Sequence, residues 1–368
     1  MKFTINRTGF RNALSIVKPA AQKGSMRILQ NVKVSAQDNR LTLTATDLDI
    51  TIRTNADCEV AEPGETTIPA ALLYEAVSKM QDGNVVVSCE KGSETSEIAA
   101  GSARFRLQSL PADDFPKFPS EETTELFTVP CAMLRGMIRR TAFATALDET
   151  RKMLMALNLT VDRTLLTAAA TDGRRLSVCA KSLENGIDGK TTVLLPKRTV
   201  AALVPALSAD ANVTCLDVGS QVAFKVGGSV EIWSKKIDGE YPNYVQVIPN
   251  VEVPEYTAVS IERELFGACI DRASIVATEG ANAVNVRFAD NEVSVTCKGD
   301  GIMGAVRDAM PVRYDGEPKE TNIDAGFLAD AVRASDASDL QFFIRDAGTP
   351  CVVKDEDGWL YVVMPLRV

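Results

Sequence analysis

Asp47 and Asp49 stand two positions apart in the stretch TATDLDITI (44–52). On an extended chain both carboxylates share one face, an arrangement able to hold a divalent cation between oxygen ligands. Asp113 and Asp114 form a second acidic pair. The plainer role for all four is to cap a turn or a strand end. Other chemistry is excluded. The chain of 368 residues has no histidine, which removes Ser-His-Asp triads, Cys-His pairs and His-ligated zinc. The eight cysteines (Cys58, Cys89, Cys131, Cys179, Cys215, Cys269, Cys297 and Cys351) come no closer than the 28 positions between Cys269 and Cys297. A C-x-x-C redox or zinc motif is therefore absent, and the thiols read as reduced and mostly buried. GIDGKT (186–191) has part of a phosphate loop, but Glu184 stands where that motif needs glycine. No nucleophile, base and oxyanion donor assemble, so no catalysis and no cofactor or metal are expected.

The elements that position these residues repeat. FTINRTGFRNALSIVKP from Phe3, FTVPCAMLRGMIRRTAFA from Phe127 and AVSIERELFGACIDRASIVA from Ala258 each read as a short strand entering a helix. A second helical pattern follows some 60 residues later, from Thr66, Thr192 and Thr321. Apolar residues recur at i, i+3, i+4 and i+7: Phe10, Ala13, Leu14, Val17; Leu73, Ala76, Val77, Met80; Val200, Leu203, Val204, Leu207; Phe266, Cys269, Ile270, Ala273. Pro69, Pro130 and Pro196 stand where helices begin. Alternating strand-like runs lie between, and aligning 39–53 with 163–180 sets Asp47 against Asp172, 125 positions on. Proline-containing, charged connectors at 112–125 and 241–256 read as linkers. The fold class is α+β, with three domains of one design, two helices and an antiparallel sheet in each: 1–120, 121–252 and 253–368. No apolar run is long enough to span a membrane and no secretory leader is visible, so a cytoplasmic protein is expected.

The charge of −9 argues against a general nucleic-acid coat protein. It is unevenly spread. Residues 1–120 carry 14 basic and 14 acidic side chains, 121–250 carry 15 and 14, and 251–368 carry 11 and 21. The six helical segments (8–22, 69–81, 130–147, 196–208, 261–277 and 325–335) run the other way. They hold Arg11, Lys18, Lys79, Arg135, Arg139, Arg140, Lys197, Arg198, Arg263, Arg272 and Arg333 against Glu75, Glu262, Glu264, Asp271 and Asp330. Helices with one apolar stripe and an excess of cations elsewhere suit a shared polyanion. Without interleaved aromatics to stack bases, duplex DNA fits better than a single strand, read without regard to sequence.

MKFT (1–4), TATDLDITI (44–52), LPADDFP (110–116), ATDGRRL (170–176), DGEYPNY (238–244) and YVVMPLRV (361–368) together resemble the β subunit of bacterial DNA polymerase III, the sliding-clamp family. The resemblance runs from Met1 to Val368. It implies a clamp fold in three repeats, closed head to tail as a homodimeric ring of six domains, with helices around duplex DNA and sheets outside. It implies processivity: the ring tethers the polymerase III alpha subunit and other proteins bearing a clamp-binding motif, and an ATP-driven loader places it on DNA. The competing readings of the residues are a carboxylate-using hydrolase or transferase on the same scaffold, and a peptide-binding scaffold with no DNA role.

Carried over by position, the resemblance implies a partner-peptide pocket walled by Leu154, Thr171, Gly173, Arg174, Arg175, Leu176, Pro242, Gln246, Val247, Val362, Val363, Met364, Pro365, Leu366 and Arg367. The apolar members would accept a short linear motif, while Arg175 and Arg367 would grip peptide carbonyls or acids at the rim. Arg174 replaces a family histidine and Gln246 a frequent arginine, which implies a different peptide preference. Phe105 and Leu107 on one side, and Ile275 and Val276 on the other, would form the dimer contact. Lys23 would join the DNA-facing set near a family loop arginine. Lys152 and Met153 occupy positions where some members have tyrosines.

Overall fold

The structure is a computed structural model. It describes residues 1–21, 26–119, 122–207, 210–276, 282–298 and 304–366. Among them are six α-helices: α1 (Arg7–Val17), α2 (Ala70–Lys79), α3 (Cys131–Thr141), α4 (Lys197–Ala206), α5 (Arg263–Ala273) and α6 (Ala325–Ala334). They fall two to a repeat. The apolar stripes expected from spacing are the buried ones, with Phe10, Ala13, Leu14 and Val17 on α1 and Phe266, Cys269, Ile270 and Ala273 on α5. On α4, Val204 is only half-buried.

The helices are shorter than their amphipathic segments. α1 gives way to a 3₁₀ turn, Lys18–Ala20, that contains Pro19, a residue whose ring opposes continued α-geometry. α3 and α5 likewise tighten into Ala142–Ala144 and Ser274–Val276. Pro69, Pro130 and Pro196 close the strands that feed α2, α3 and α4 rather than opening the first helical turn. α1 is capped by Asn6, whose side chain accepts from the N–H groups of Thr8 and Gly9 at 3.0 and 3.4 Å. Asp324 caps α6, accepting from Phe327 N–H at 3.1 Å.

The chain forms two compact units, residues 1–135 with 198–236, and 136–197 with 237–368. The first unit holds two sheets. One has the order Glu59–Glu62, Lys2–Asn6, Asn84–Ser88, Thr95–Ala100, Ala103–Gln108. The other has eight strands: Thr124–Pro130, Asn212–Val218, Gln221–Val226, Val230–Lys235, Ile50–Asp57, Arg40–Thr46, Asn31–Gln37, Gly64–Pro69. The second unit has an eight-stranded sheet, Lys190–Pro196, Ala156–Asp162, Leu165–Thr171, Arg175–Ser182, Trp359–Val363, Cys351–Lys354, Asp339–Ile344, Thr257–Glu262. Its second sheet is Ala305–Pro311, Glu292–Lys298, Ala283–Ala289, Lys319–Asp324.

These sheets run across the sequence repeats. Val230–Lys235 of the second repeat pairs antiparallel with Ile50–Asp57 of the first, with Ile232 opposite Ile52. Trp359–Val363 of the third pairs antiparallel with Arg175–Ser182 of the second, with Val362 opposite Leu176. All four of those apolar side chains are buried, so each junction is a piece of core and not only a ladder of backbone hydrogen bonds. Ala103–Gln108 and Ala305–Pro311 each end their sheet, with no partner on the outer side among the described residues.

The glycines of KGDGIMGA (298–305) have the spacing G-x-G-x-x-G. Gly299 and Gly301 lie outside the described residues; the described elements on either side are the antiparallel strands Glu292–Lys298 and Ala305–Pro311, where a dinucleotide fingerprint needs a helix. All eight cysteines are free, six buried and Cys58 and Cys89 half-buried. Among the described residues, no helix is long and apolar enough to cross a membrane.

Candidate partner-peptide pocket and cationic helices

The residues expected to wall the peptide pocket all fall in the second unit, arranged around one turn. Leu165–Thr171 and Arg175–Ser182 are joined by Asp172-Gly173-Arg174, whose geometry is locked by side chains. Asp172 Oδ1 accepts from the N–H groups of Arg174 and Arg175 at 2.9 and 3.0 Å. Thr171 Oγ1 donates to the Arg175 carbonyl at 2.6 Å and accepts from Gly173 N–H at 3.1 Å. Gly173 has φ +87°, a conformation glycine adopts without cost.

Three further segments are tied to this turn. Tyr241 Oη accepts from Thr171 N–H at 3.0 Å, and burial pushes its phenol up to about 12. Tyr244 and Ile248 pack on a cluster of Leu176, Val251, Val352 and Val362, which fixes the segment between them. Arg151 Nη1 donates to the Asp172 carbonyl at 3.3 Å. Its neighbour Met153 lies so close to Gly239 that a Cβ there would sit 2.8 Å from the Met153 sulfur. Beyond Trp359–Val363, Met364 N–H donates to the Arg174 carbonyl at 2.9 Å and Leu366 N–H to that of Asn322 at 2.7 Å.

The result is apolar surface offered to solvent around a rigid frame. Met364 is 45% exposed and Val247 59%; Leu154, Pro365 and Leu366 are half-buried, and Pro242 and Gln246 are exposed. Leu176, Val362 and Val363 are buried beneath and act as the floor's support. Arg367 lies outside the described residues.

Arg175 does not have the expected role of gripping peptide. Its Nε donates to Asp172 at 3.0 Å, Nη1 to Asp330 on α6 at 2.5 Å and Nη2 to the Phe143 carbonyl at 3.0 Å. Its guanidinium also lies 4.3 Å from the centre of the Phe327 ring. With three of its five N–H donors engaged and its side chain only 11% exposed, it ties the turn to α6 and positions the wall. Asp330, Tyr241 and Tyr244 were not among the expected site residues. The two tyrosines lie in the DGEYPNY motif, but Asp330 gives no sign in the sequence beyond its place on a cationic helix.

The first unit repeats this turn with different ends. Asp47 Oδ1 accepts from Asp49 and Ile50 N–H at 2.9 and 2.8 Å, and Thr46 Oγ1 bonds to Ile50 O and Leu48 N. Lys235 N–H donates to the Asp49 carbonyl at 2.9 Å, as Met364 does to Arg174. Aligning Asp47 with Asp172 therefore matches equivalent carboxylates. Here, though, Lys235 Nζ pairs with Asp49 at 2.8 Å and Arg198 pairs with Asp47. The two aspartates each hold a cationic side chain, and Lys235 stands where the second unit has the exposed Met364.

Three profiles of the DNA polymerase III beta subunit match in order: the N-terminal domain over residues 1–119, the central domain over 128–243 and the C-terminal domain over 246–367. The chain belongs to that family. The beta sliding clamp of Caulobacter vibrioides is 33% identical over the full length of both chains, and that of Vibrio cholerae 29%, again over both full lengths. Among solved structures, a sliding clamp of Pseudomonas aeruginosa bound to griselimycin superposes with a TM-score of 0.91 at 26% identity, covering 100% of each chain. Caulobacter crescentus pol III beta does so at 0.86 and 32%, also with full coverage.

For a beta subunit, the helix cations matter next. Arg11, Lys18, Lys79, Arg135 and Lys197 have no acidic partner among the described residues, although Lys18 lies 4.4 Å above the Tyr74 ring. Arg139, Arg198, Arg272 and Arg333 are each paired, with Asp336, Asp47, Asp308 and the pair Asp330 and Asp271. Lys23 lies outside the described residues.

Arg140 is a correction. Expected among the DNA-facing cations, it is 6% exposed and points inward to Asp357 and, at 3.6 Å, to Asp355. The Asp355 side chain is itself fully buried and accepts from Ser335 Oγ at 2.8 Å. The Arg140 carbonyl also receives the Trp359 indole N–H at 3.0 Å. One helical position after Arg139, the guanidinium turns from the solvent side to the sheet side, and a buried carboxylate makes that tolerable.

Of the expected dimer residues, Phe105 is exposed and Leu107 half-buried on the open strand Ala103–Gln108. Ile275 is 78% exposed and Val276 half-buried, just after α5. α5 packs on the other open strand, Ala305–Pro311, through Arg272 and Asp308 among others.

Proposed function

We propose that two copies of this sliding clamp close head to tail into a six-domain ring around duplex DNA, and that the ring tethers the replicative polymerase through the pocket of the second unit. The clamp is a non-catalytic processivity factor. The observation that carries the ring is the way repeats share sheets. At each internal junction, the closing strand of one repeat pairs with the outer strand of the repeat before it, as Val230–Lys235 does with Ile50–Asp57 and Trp359–Val363 with Arg175–Ser182. Ala103–Gln108 is the closing strand of the first repeat. Ala305–Pro311 is the third repeat's counterpart of Ile50–Asp57 and Arg175–Ser182. Both have open edges. Applied once more between copies, the same pairing joins them, removes two exposed edges and, made twice, closes the ring.

Domain cuts near 120 and 252 follow the repeats, and the shared sheets explain why the compact units cross them. Phe105 and Leu107 would meet Ile275 and Val276 at the junction, where full burial of such side chains is worth about 1.5–3 kcal/mol each. The helix cations would face phosphates and supply attraction without sequence preference, so the ring slides while topology retains it. A linear motif with apolar side chains would lie against Leu154, Val247, Met364, Pro365 and Leu366. The polymerase III alpha subunit, the loader ATPase and other motif-bearing proteins are its partners, and the cytoplasm is its place of work. Light scattering tests the pairing: a stable particle near twice 39.6 kDa is expected, and a monomer at micromolar concentration would refute it.

A further inference from the structure

We propose that Arg174 sets the pocket's specificity: its guanidinium takes a carboxylate of the bound peptide, close in sequence to the apolar side chain that lies against Met364. The proposal rests on the peptide-pocket reading and adds the charge class of its ligand.

Arg174 is exposed, yet its main chain is held on both sides. Its N–H donates to Asp172 Oδ1 and its carbonyl accepts from Met364 N–H, both at 2.9 Å. The side chain therefore leaves from a fixed stalk opposite Met364, a residue 45% exposed, in the strand pairing. Among the described side chains, the charges around it do not balance. Arg151, Arg174 and Arg175 surround the turn, while the carboxylates of Asp172 and Asp330 are both directed to Arg175. Asp148 caps its own turn, accepting from Thr150 N–H and Oγ1 at 2.9 and 2.8 Å. The segment Pro242–Val247 carries no charge. Arg174 has no acidic partner among the described residues.

A guanidinium fixed beside an apolar surface, with no carboxylate of its own, is completed by an acid brought in by the ligand. In a chain of net charge −9, this local excess also steers an acidic segment to the groove and away from the rest of the surface. The same cation disfavours basic segments that would otherwise satisfy the apolar contacts.

The test uses the whole protein and calorimetry with amidated peptides of roughly ten residues. Each peptide carries two leucines as apolar anchors and a single Asp walked along its length, and each is compared with its Asn isostere. At one or two positions the Asp peptide should bind about fivefold or more tightly than its Asn twin, and the ratio should fall below about twofold in Arg174→Gln or when salt is raised to screen the pair. An unchanged ratio in Arg174→Gln, or its collapse in Arg151→Gln instead, overturns the assignment. So does good binding of every peptide with no Asp preference anywhere, a result that leaves the pocket itself standing. Failure of all peptides, Asn versions included, brings down the pocket reading together with this proposal.

Discussion

Met364 donates its main-chain N–H to the carbonyl of Arg174 across 2.9 Å, extending the pairing of Trp359–Val363 with Arg175–Ser182 to the last residue before Pro365. The same bond joins Lys235 to Asp49 in the first unit. Identical backbone geometry thus ends in an exposed methionine in one place and in an ion pair in the other. The two turns differ in side chains and not in fold, and on the proposed reading that difference selects the second unit for the peptide.

Removing residues 364–368 should therefore abolish binding of a partner peptide while leaving the dimer intact. Calorimetry with the peptide and light scattering on the same sample check both halves. Retained affinity would show that the pocket lies elsewhere.

Ile275→Glu should yield monomers. The side chain is 78% exposed in the single chain, so the change costs little within the fold. At a paired sheet junction the same carboxylate is desolvated without a partner, a penalty of several kcal/mol. Sedimentation that still shows a dimer would place the interface elsewhere.

Arg140→Ala should destabilise the second unit by about 3–5 kcal/mol, the usual cost of leaving a buried charge unpaired. Asp355, its side chain fully buried, is the charge left behind. Pairing the change with Asp355→Asn should recover part of the loss. Denaturant unfolding measures both, and a loss below about 1 kcal/mol for Arg140→Ala would mean that the guanidinium works at the surface after all.

Lys181, followed by Arg140, holds the Asp357 carboxyl below its usual range, and Arg139 does the same for Asp336. A carboxylate depressed in the folded state contributes stability that is complete above its unfolded value of about 3.9 and is lost as pH falls through the folded value. Asp357→Asn should flatten the acid limb of stability below about pH 4 and lower the plateau above it. Unfolding followed across that range checks it; an acid limb identical to that of the parent chain would remove Asp357 from the account.

The repeats, the six helices and their buried stripes were legible because spacing at 3.6 residues is a local signal. So was the equivalence of Asp47 and Asp172, since the Thr-Asp turn is written in four consecutive residues. Three things were not. Sheets that join the closing strand of one repeat to its predecessor depend on pairs such as Ile232 and Ile52, far apart in sequence. The inward turn of Arg140 is decided by Asp355 and Asp357, over 200 positions away. The engagement of Arg175 depends on Asp330, which reads in sequence as one more charge on a solvated helix. Each is a tertiary contact, where a long-range partner decides what a local pattern leaves open.

The most direct measurement of encirclement is retention of the loaded protein on closed-circular and linear duplexes of the same sequence at raised salt. The protein should persist on the circle and be lost from the linear form through its free ends, with blocks at both ends restoring retention. Equal loss from circle and line would contradict a closed ring.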